Sequence, residues 1–75
     1  MDYNCINKDL LRGKTIAAGY TLSKLARDIG ISEVTMYRKI NGGSDFTRSE
    51  IGHIRMILGL SVDDADKIFF TRQLA

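Results

Sequence analysis

The chain has 75 residues, of which 44% are hydrophobic and 27% are charged, and it carries a formal net charge of +2. This length predicts one small domain over residues 1–75, which buries only about 60–65% of its unfolded surface. The composition is that of a globular protein rather than a disordered one, and no apolar run approaches the ~18 residues of a membrane span.

Cysteine usage and the N-terminal residues indicate a cellular compartment. Cys5 is the only cysteine, so it has no partner for an internal disulfide. The N-terminus lacks the charged and then apolar pattern of a secretory signal. We therefore expect a cytoplasmic protein.

Positive charge is concentrated in the first two thirds of the chain. Residues 8–48 hold eight Lys and Arg side chains against four Asp and Glu, whereas residues 49–75 hold three against four. A basic region is typical of a surface that contacts phosphates. A difference of this size also fits an ordinary solvated face, and both readings stay open.

In chain order, the first predicted helix runs from about residue 7 to residue 18, before a glycine stop at Gly19. Its inward stripe is expected to consist of Leu10, Leu11, Ile16 and Ala17. Gly13 conflicts with a helix interior, where Gly costs about 1 kcal/mol relative to Ala. Either another helix approaches closely at Gly13, or the helix begins later.

The second predicted helix begins after Thr21, whose side chain can cap it. Its apolar face is expected to consist of Leu22, Leu25, Ala26 and Ile29. Gly30 stops it, because a φ above zero is cheap only for Gly.

A third helix is predicted directly after this break, with Ser32 as its N-cap. Met36 and Ile40 lie one turn apart and face inward, and Asn41-Gly42 ends the helix. Two short helices joined by a Gly-containing turn are typical of a helix-turn-helix unit, here over residues 21–42.

The fourth predicted helix follows Thr47-x-x-Glu50, which is a capping box, and Phe46 with Ile51 has the spacing of a hydrophobic staple. Gly59 closes this helix. Its apolar stripe is expected to consist of Ile51, Ile54, Ile57 and Leu58.

A short fifth helix is predicted after Ser61, ending near residues 68–70 and followed by a tail over 71–75. An edge strand over 68–72 is the alternative for its last residues. Phe69 and Phe70 cannot both face the same core from one helix or strand. We expect one to close the core against the first helix and the other to be an exposed dimer contact, unless both are covered within one chain.

The residues of the central unit resemble a known family. The run Leu25-Ala26-x-x-Ile29-Gly30-Ile31-Ser32, followed by the run from Thr35 to Gly42, is similar to the helix-turn-helix of XRE-type phage repressor and Cro proteins. Residues 44–51 resemble the next helix of that family, so the likeness covers roughly residues 8–62. That family often has Gln at the first motif position, where it contacts a phosphate and braces the recognition helix. Here the residue is Leu22, which leaves the fold expectation intact and the brace unassigned.

The resemblance implies an all-α, lambda-repressor-like domain of about five short helices, whose third helix enters the major groove of DNA. The outer face of that helix supplies the candidate base contacts, which are Glu33, Val34, Tyr37 and Arg38. Arg38 can bind guanine O6 and N7 together, Val34 can contact a thymine methyl, and Glu33 can accept from cytosine N4. The alternative is a plain exposed helix face, for which valine and tyrosine are poor choices.

A second set of polar residues surrounds this face and supplies the candidate phosphate contacts, together with backbone amides at helix starts. They are Thr21, Ser23, Lys24, Ser32, Thr35, Lys39, Asn41, Ser44 and Arg48. Each of them is individually common as a cap or as a solvated surface group.

The sequence gives little support for a nucleotide-binding, metal-binding or catalytic site. Gly42-Gly43 lacks the Lys-Ser/Thr of a phosphate-binding loop. The acidic residues 63–66 lack calcium-loop spacing, and His53 with Cys5 cannot complete a zinc site. No spacing suggests a catalytic triad. We expect no enzyme activity, cofactor, metal, membrane contact or small-molecule substrate.

The function expected from these residues and the resemblance is sequence-specific binding of double-stranded DNA by a small Cro-like transcriptional repressor, in a bacterial host cell or prophage context. A chain without a second domain favours the Cro type over a two-domain repressor. One copy reads about 4–6 base pairs, so a homodimer on an inverted repeat is expected. The alternative is a protein-interaction module, such as an anti-repressor, that keeps the fold without binding DNA.

Overall fold

The structure, a computed structural model, describes residues 6–70. Its helices are α1 (Lys8–Ala17), α2 (Leu22–Ile29), α3 (Glu33–Ile40), α4 (Arg48–Leu58) and α5 (Val62–Phe69). Residues 6–70 contain no strand, so the edge-strand alternative does not apply to residues 68–70. The expectations for Cys5 and for residues 71–75 lie outside the described range.

Side-chain caps begin all five helices, as short polar residues before an apolar stripe predict. The N-cap side chain accepts a hydrogen bond from the backbone N–H three residues later in every helix. The capping box before α4 is complete, because Glu50 also accepts from the backbone N–H of Thr47 at 2.9 Å. These local bonds set the helix starts. The caps are Asn7, Thr21, Ser32, Thr47 and Ser61.

The core lies between all five helices, with α2 in contact with α1, α3 and α4. Burying these side chains is the main favourable contribution to folding, since each full burial of a large apolar side chain contributes about 1.5–3 kcal/mol. The buried apolar residues are Leu11, Leu25, Ala26, Met36, Ile40, Ile54, Leu60, Ala65, Ile68 and Phe69.

The inward stripe predicted for α1 is wrong in its C-terminal half. Ile16 is 67% exposed and Ala17 is exposed, whereas Thr15 is buried beneath Leu11. Thr15 lies one turn after Leu11 on the core face, and its Oγ1 donates to the Leu11 carbonyl oxygen at 2.7 Å. Because the helix satisfies this hydroxyl internally, a polar residue occupies the core position.

Gly13 has neither of the explanations offered for it. The helix does begin at Lys8, so Gly13 lies in its interior. A Cβ atom placed on Gly13 meets no heavy atom within 4 Å, so no other helix approaches closely there. Gly13 is therefore an exposed helical glycine without a packing role among the described residues.

The two C-terminal phenylalanines have different environments. Phe69 is buried and its ring contacts that of Phe46 edge-on, with centroids 5.4 Å apart. Phe70 is 60% exposed. The expectation that one of the two is buried and the other exposed is confirmed, with Phe69 in the core of its own chain, and a dimer contact at Phe70 stays a prediction.

Candidate nucleic-acid interface

The turn between α2 and α3 sets the orientation of the predicted recognition helix. Gly30 adopts φ 87°, and its neighbour Ile31 donates from its backbone N–H to the Ala26 carbonyl oxygen at 2.9 Å. This bond pattern closes α2, and α3 begins after only three further residues. On α3, Met36 and Ile40 are buried against the core, so the helix cannot rotate without exposing them. The opposite face is therefore held outward.

The four candidate base contacts lie together on that outward face. Glu33 and Arg38 are exposed, Val34 is 74% exposed and Tyr37 is 44% exposed. Positions 33, 34, 37 and 38 follow the helical period, so one surface of α3 presents all four side chains. A surface that combines a carboxylate, a guanidinium, a phenol and a branched aliphatic group carries the donors, acceptors and apolar contacts needed to distinguish base edges.

A hydrogen bond that sequence reasoning missed joins α2 to α3. Ser23 Oγ donates to Glu33 Oε1 at 2.5 Å. The bond ties the first turn of α3 to the first turn of α2 and fixes the direction of the Glu33 carboxylate. Because its only proton is committed to Glu33, Ser23 has no proton to donate to a phosphate in this arrangement. In this structure Ser23 is a partner of Glu33, and its phosphate contact stays a prediction.

Lys39 also has a different environment from the one expected of a phosphate contact. Its Nζ lies 3.0 Å from Glu50 Oε1 and 2.9 Å from the Asp45 carbonyl oxygen. The Lys39 side chain is only 11% exposed. The phosphate contact of Lys39 stays a prediction, and in this structure its ammonium group pairs within the chain. Lys39 instead fastens the end of α3 to the start of α4.

The pKa of Glu50 reflects this setting. Burial raises the pKa of the Glu50 carboxyl. The hydrogen bond from the Thr47 backbone and the ammonium of Lys39 together lower it by more than burial raises it, so the pKa is below that of an ordinary glutamate. One carboxylate thus caps α4 and pairs with α3. The capping motif predicted the first role, and no local spacing predicted the second.

Hydroxyl groups at the helix starts divide into committed and available donors. Ser32 Oγ accepts from the Thr35 backbone N–H at 3.1 Å and donates to Thr35 Oγ1 at 2.9 Å. The Ser32 proton is therefore used within the cap, whereas the hydroxyl proton of Thr35 is not used by this bond. Thr21 accepts from the Lys24 backbone N–H at 3.1 Å and keeps its hydroxyl on the exposed side of α2.

The remaining candidate phosphate contacts surround α3 at the surface. Lys24 is exposed, with its Nζ 4.9 Å from the centre of the Tyr20 ring. Asn41 and Arg48 are exposed and Ser44 is half-buried. Lys24 lies in the first turn of α2, Asn41 directly follows α3 and Arg48 begins α4.

Residues 6–70 contain neither a cluster of metal ligands nor a helix suited to a membrane. No group of three or more His, Cys, Asp or Glu side chains lies close enough to hold a metal ion within that range. None of the helices between residues 6 and 70 has the length and apolar character needed to cross a membrane.

Five helices of this order, with a capped second helix, a glycine turn and an exposed third helix, define a helix-turn-helix protein of the lambda-repressor-like class. A family model of the Cro/C1-type HTH DNA-binding domain matches residues 11–65, from the middle of α1 into α5. The chain belongs to this family and carries a DNA-binding domain. The resemblance seen in the sequence and the all-α fold are thereby confirmed. Comparison with curated proteins and with solved structures finds no match.

Proposed function

We propose that the protein is a small transcriptional repressor of the phage Cro type that binds a specific duplex DNA sequence. The observation that carries this proposal is the exposed face of α3, formed by Glu33, Val34, Tyr37 and Arg38 on a helix whose inner face is buried. Regulation follows from occupancy, because a protein seated on an operator excludes the transcription machinery from it. The bacterial cytoplasm, including that of a prophage-carrying cell, is the proposed place of action.

In the proposed complex, α3 lies in the major groove and each side chain has a separate role. Arg38 donates two hydrogen bonds to guanine O6 and N7, and Val34 contacts a thymine methyl group. Glu33, directed by Ser23, accepts from cytosine N4. Tyr37 contacts a base, a sugar or a phosphate beside them.

Phosphate contacts position the helix without specifying sequence. Cationic contacts are proposed to come from Lys24 in α2 and Arg48 in α4, both of which are exposed. The uncharged contacts are proposed to come from Thr21, Thr35, Asn41 and Ser44.

We further propose that two copies bind an inverted repeat. One α3 reads about 4–6 base pairs, which gives too little affinity and specificity for a regulator, whereas two copies spaced by about one helical turn give enough. Phe70 supplies the apolar group for a contact between copies, since it is 60% exposed at the end of α5. This proposal treats residues 1–75 as one domain.

The first experiment is selection of bound duplexes from a randomised pool at moderate salt, followed by sequencing. Enrichment of an inverted repeat supports the dimeric repressor and supplies its operator. Enrichment of a single half-site supports specific binding and removes the dimer. No enrichment from protein that is folded by circular dichroism would reject the proposed function.

A protein-interaction module is the second candidate, and the fixed carboxylate of Glu33 favours it. Ser23 holds this negative charge at the front of α3, where it opposes a polyanion. Salt separates the candidates, because DNA affinity falls steeply with salt as counterions are released. Binding to duplex DNA that does not change between about 50 and 200 mM salt would favour the interaction module.

A further inference from the structure

We infer that Gly43 is a positioning residue for Arg38, and that the missing side chain at position 43 sets where the Arg38 guanidinium lies. This inference rests on the proposed recognition of DNA by Arg38. It extends the specificity-determining residues beyond α3, into the loop that follows it.

Positions 42 and 43 require glycine for different structural reasons. Gly42 has φ 88°, which L side chains rarely adopt, and a Cβ there meets no heavy atom within 4 Å. Gly43 is not among the glycines with positive φ, so its backbone conformation suits any residue. The need for glycine at position 43 therefore comes from its surroundings.

The atoms nearest to position 43 belong to Arg38. A Cβ on Gly43 lies 2.8 Å from Arg38 Cγ, 3.2 Å from its carbonyl oxygen and 3.6 Å from its Cδ. The first distance is shorter than real Cβ contacts allow. Cγ is close to the backbone of Arg38, so it cannot move aside as freely as the end of the side chain.

The loop at Gly42 and Gly43 also cannot move away from α3 without breaking backbone hydrogen bonds. The Gly43 backbone N–H donates to the Arg38 carbonyl oxygen at 2.8 Å, and Gly42 donates to the Lys39 carbonyl oxygen at 3.2 Å. These two bonds satisfy carbonyl groups at the end of α3. A side chain at position 43 must either break the first bond or displace the stem of Arg38.

This contact matters for recognition because a two-bond grip on guanine depends on the direction of the guanidinium. Gly43 thus leaves room for the Arg38 stem in the position that it occupies here. Alanine at position 43 displaces the stem and redirects the guanidinium.

The test is a double-mutant cycle on the duplex selected above, with Gly43→Ala, Arg38→Ala and the double variant. Gly43→Ala should weaken binding about fivefold or more and reduce discrimination at the base pair that Arg38→Ala ceases to discriminate. In the Arg38→Ala background, which lacks Cγ and Cδ, the same change should alter affinity by less than about twofold. Gly52→Ala is the matched control, because a Cβ there meets open space.

Thermal unfolding of wild type, the two single variants and the double variant measures the clash between position 43 and Arg38 in the absence of DNA. Gly43→Ala should lower the unfolding temperature more in the wild-type background than in the Arg38→Ala background, even if the single variant is too unstable for binding assays. Equal loss of affinity in both backgrounds, an effect at another base pair, or no effect would each overturn the inference. Failure of the wild-type protein to select any sequence is a different result, and it rejects the proposed function itself.

Discussion

Arg38 is the residue on which sequence specificity depends most in the proposed complex. It is exposed on α3, and a side chain at position 43 would collide with its stem. Arg38→Ala should cost about 1–3 kcal/mol of binding free energy on the selected site and relax the preference at one base pair. Titrations against duplexes that vary at each position measure this. An equal loss on all duplexes would show that Arg38 contacts only phosphate.

Ser23 and Glu33 are expected to act as a unit. If Ser23 serves to direct the Glu33 carboxylate, then Ser23→Ala and Glu33→Gln share one effect on binding and are not additive. A double-mutant cycle should give an interaction free energy of about 0.5–1.5 kcal/mol. Additive losses, with Ser23→Ala weakening all duplexes equally, would show instead that Ser23 donates to a phosphate independently of Glu33. Ser23→Thr retains the hydroxyl and is the control.

Gly13, inside α1, and Gly30, at the end of α2, should respond to substitution with opposite changes in stability. Gly13 lies in a helix interior with open space around it, so Gly13→Ala should raise the free energy of unfolding by about 1 kcal/mol. Gly30 has φ 87°, so Gly30→Val should destabilise the domain by at least about 1–2 kcal/mol. Urea unfolding measures both. Unchanged stability of the Gly30 variant would show that the turn does not require a left-handed residue.

The connection between α3 and α4 predicts how stability depends on pH. The pKa of Glu50 is lower in the folded protein than in an ordinary glutamate, so its ionised form favours the folded state. That contribution is fully present above the unfolded pKa and is lost as pH falls through the lowered folded pKa. The stability difference between wild type and Glu50→Gln should therefore shrink as pH falls below about 4.3.

Asp64 is a second carboxylate with a lowered pKa, and it can be compared with Glu50 in measurements of stability against pH. Its pKa is also lowered, chiefly by a hydrogen bond with Lys14, whose Nζ lies 3.2 Å from Asp64 Oδ2. This pair is more exposed than Lys39–Glu50, so salt should screen it more. A pH dependence of Glu50→Gln stability identical to that of wild type would show that the Lys39–Glu50 pair does not contribute.

At the scale of the whole molecule, the proposed dimer depends on Phe70. Phe70→Glu should abolish cooperative binding to an inverted repeat, because it replaces an exposed apolar group with a charged one. Phe70 lines a pocket with Lys39 and Ser44, so affinity for a single half-site is measured in parallel and should fall much less than cooperativity. Met56→Glu is the matched control, since Met56 is 79% exposed on α4. Sedimentation of both variants with DNA measures the stoichiometry. Loss of cooperativity only in Met56→Glu would move the interface to α4.

Much of the fold could be predicted from the sequence because its signals are local. The caps at Thr21 and Ser32, the stop at Gly30 and the capping box at Thr47 each depend on residues within one or two turns. Met36 and Ile40 were correctly placed inside because a strong apolar stripe leaves one choice of inner face. The exposed face of α3, and with it the candidate base contacts, followed from the same stripe.

Only the tertiary structure decided the features that depend on how helices meet. The orientation of α1 turned Thr15 inward and Ile16 outward, since a hydroxyl satisfied by its own helix is no obstacle to burial. The partners of Ser23, Lys39 and Gly43 come from other elements or from the path of a loop. The sequence alone determined the helices, their ends and the face of α3, because those are short-range hydrogen-bonding and periodicity effects. The tertiary structure determined which polar groups remain available to DNA, because long-range packing commits the others.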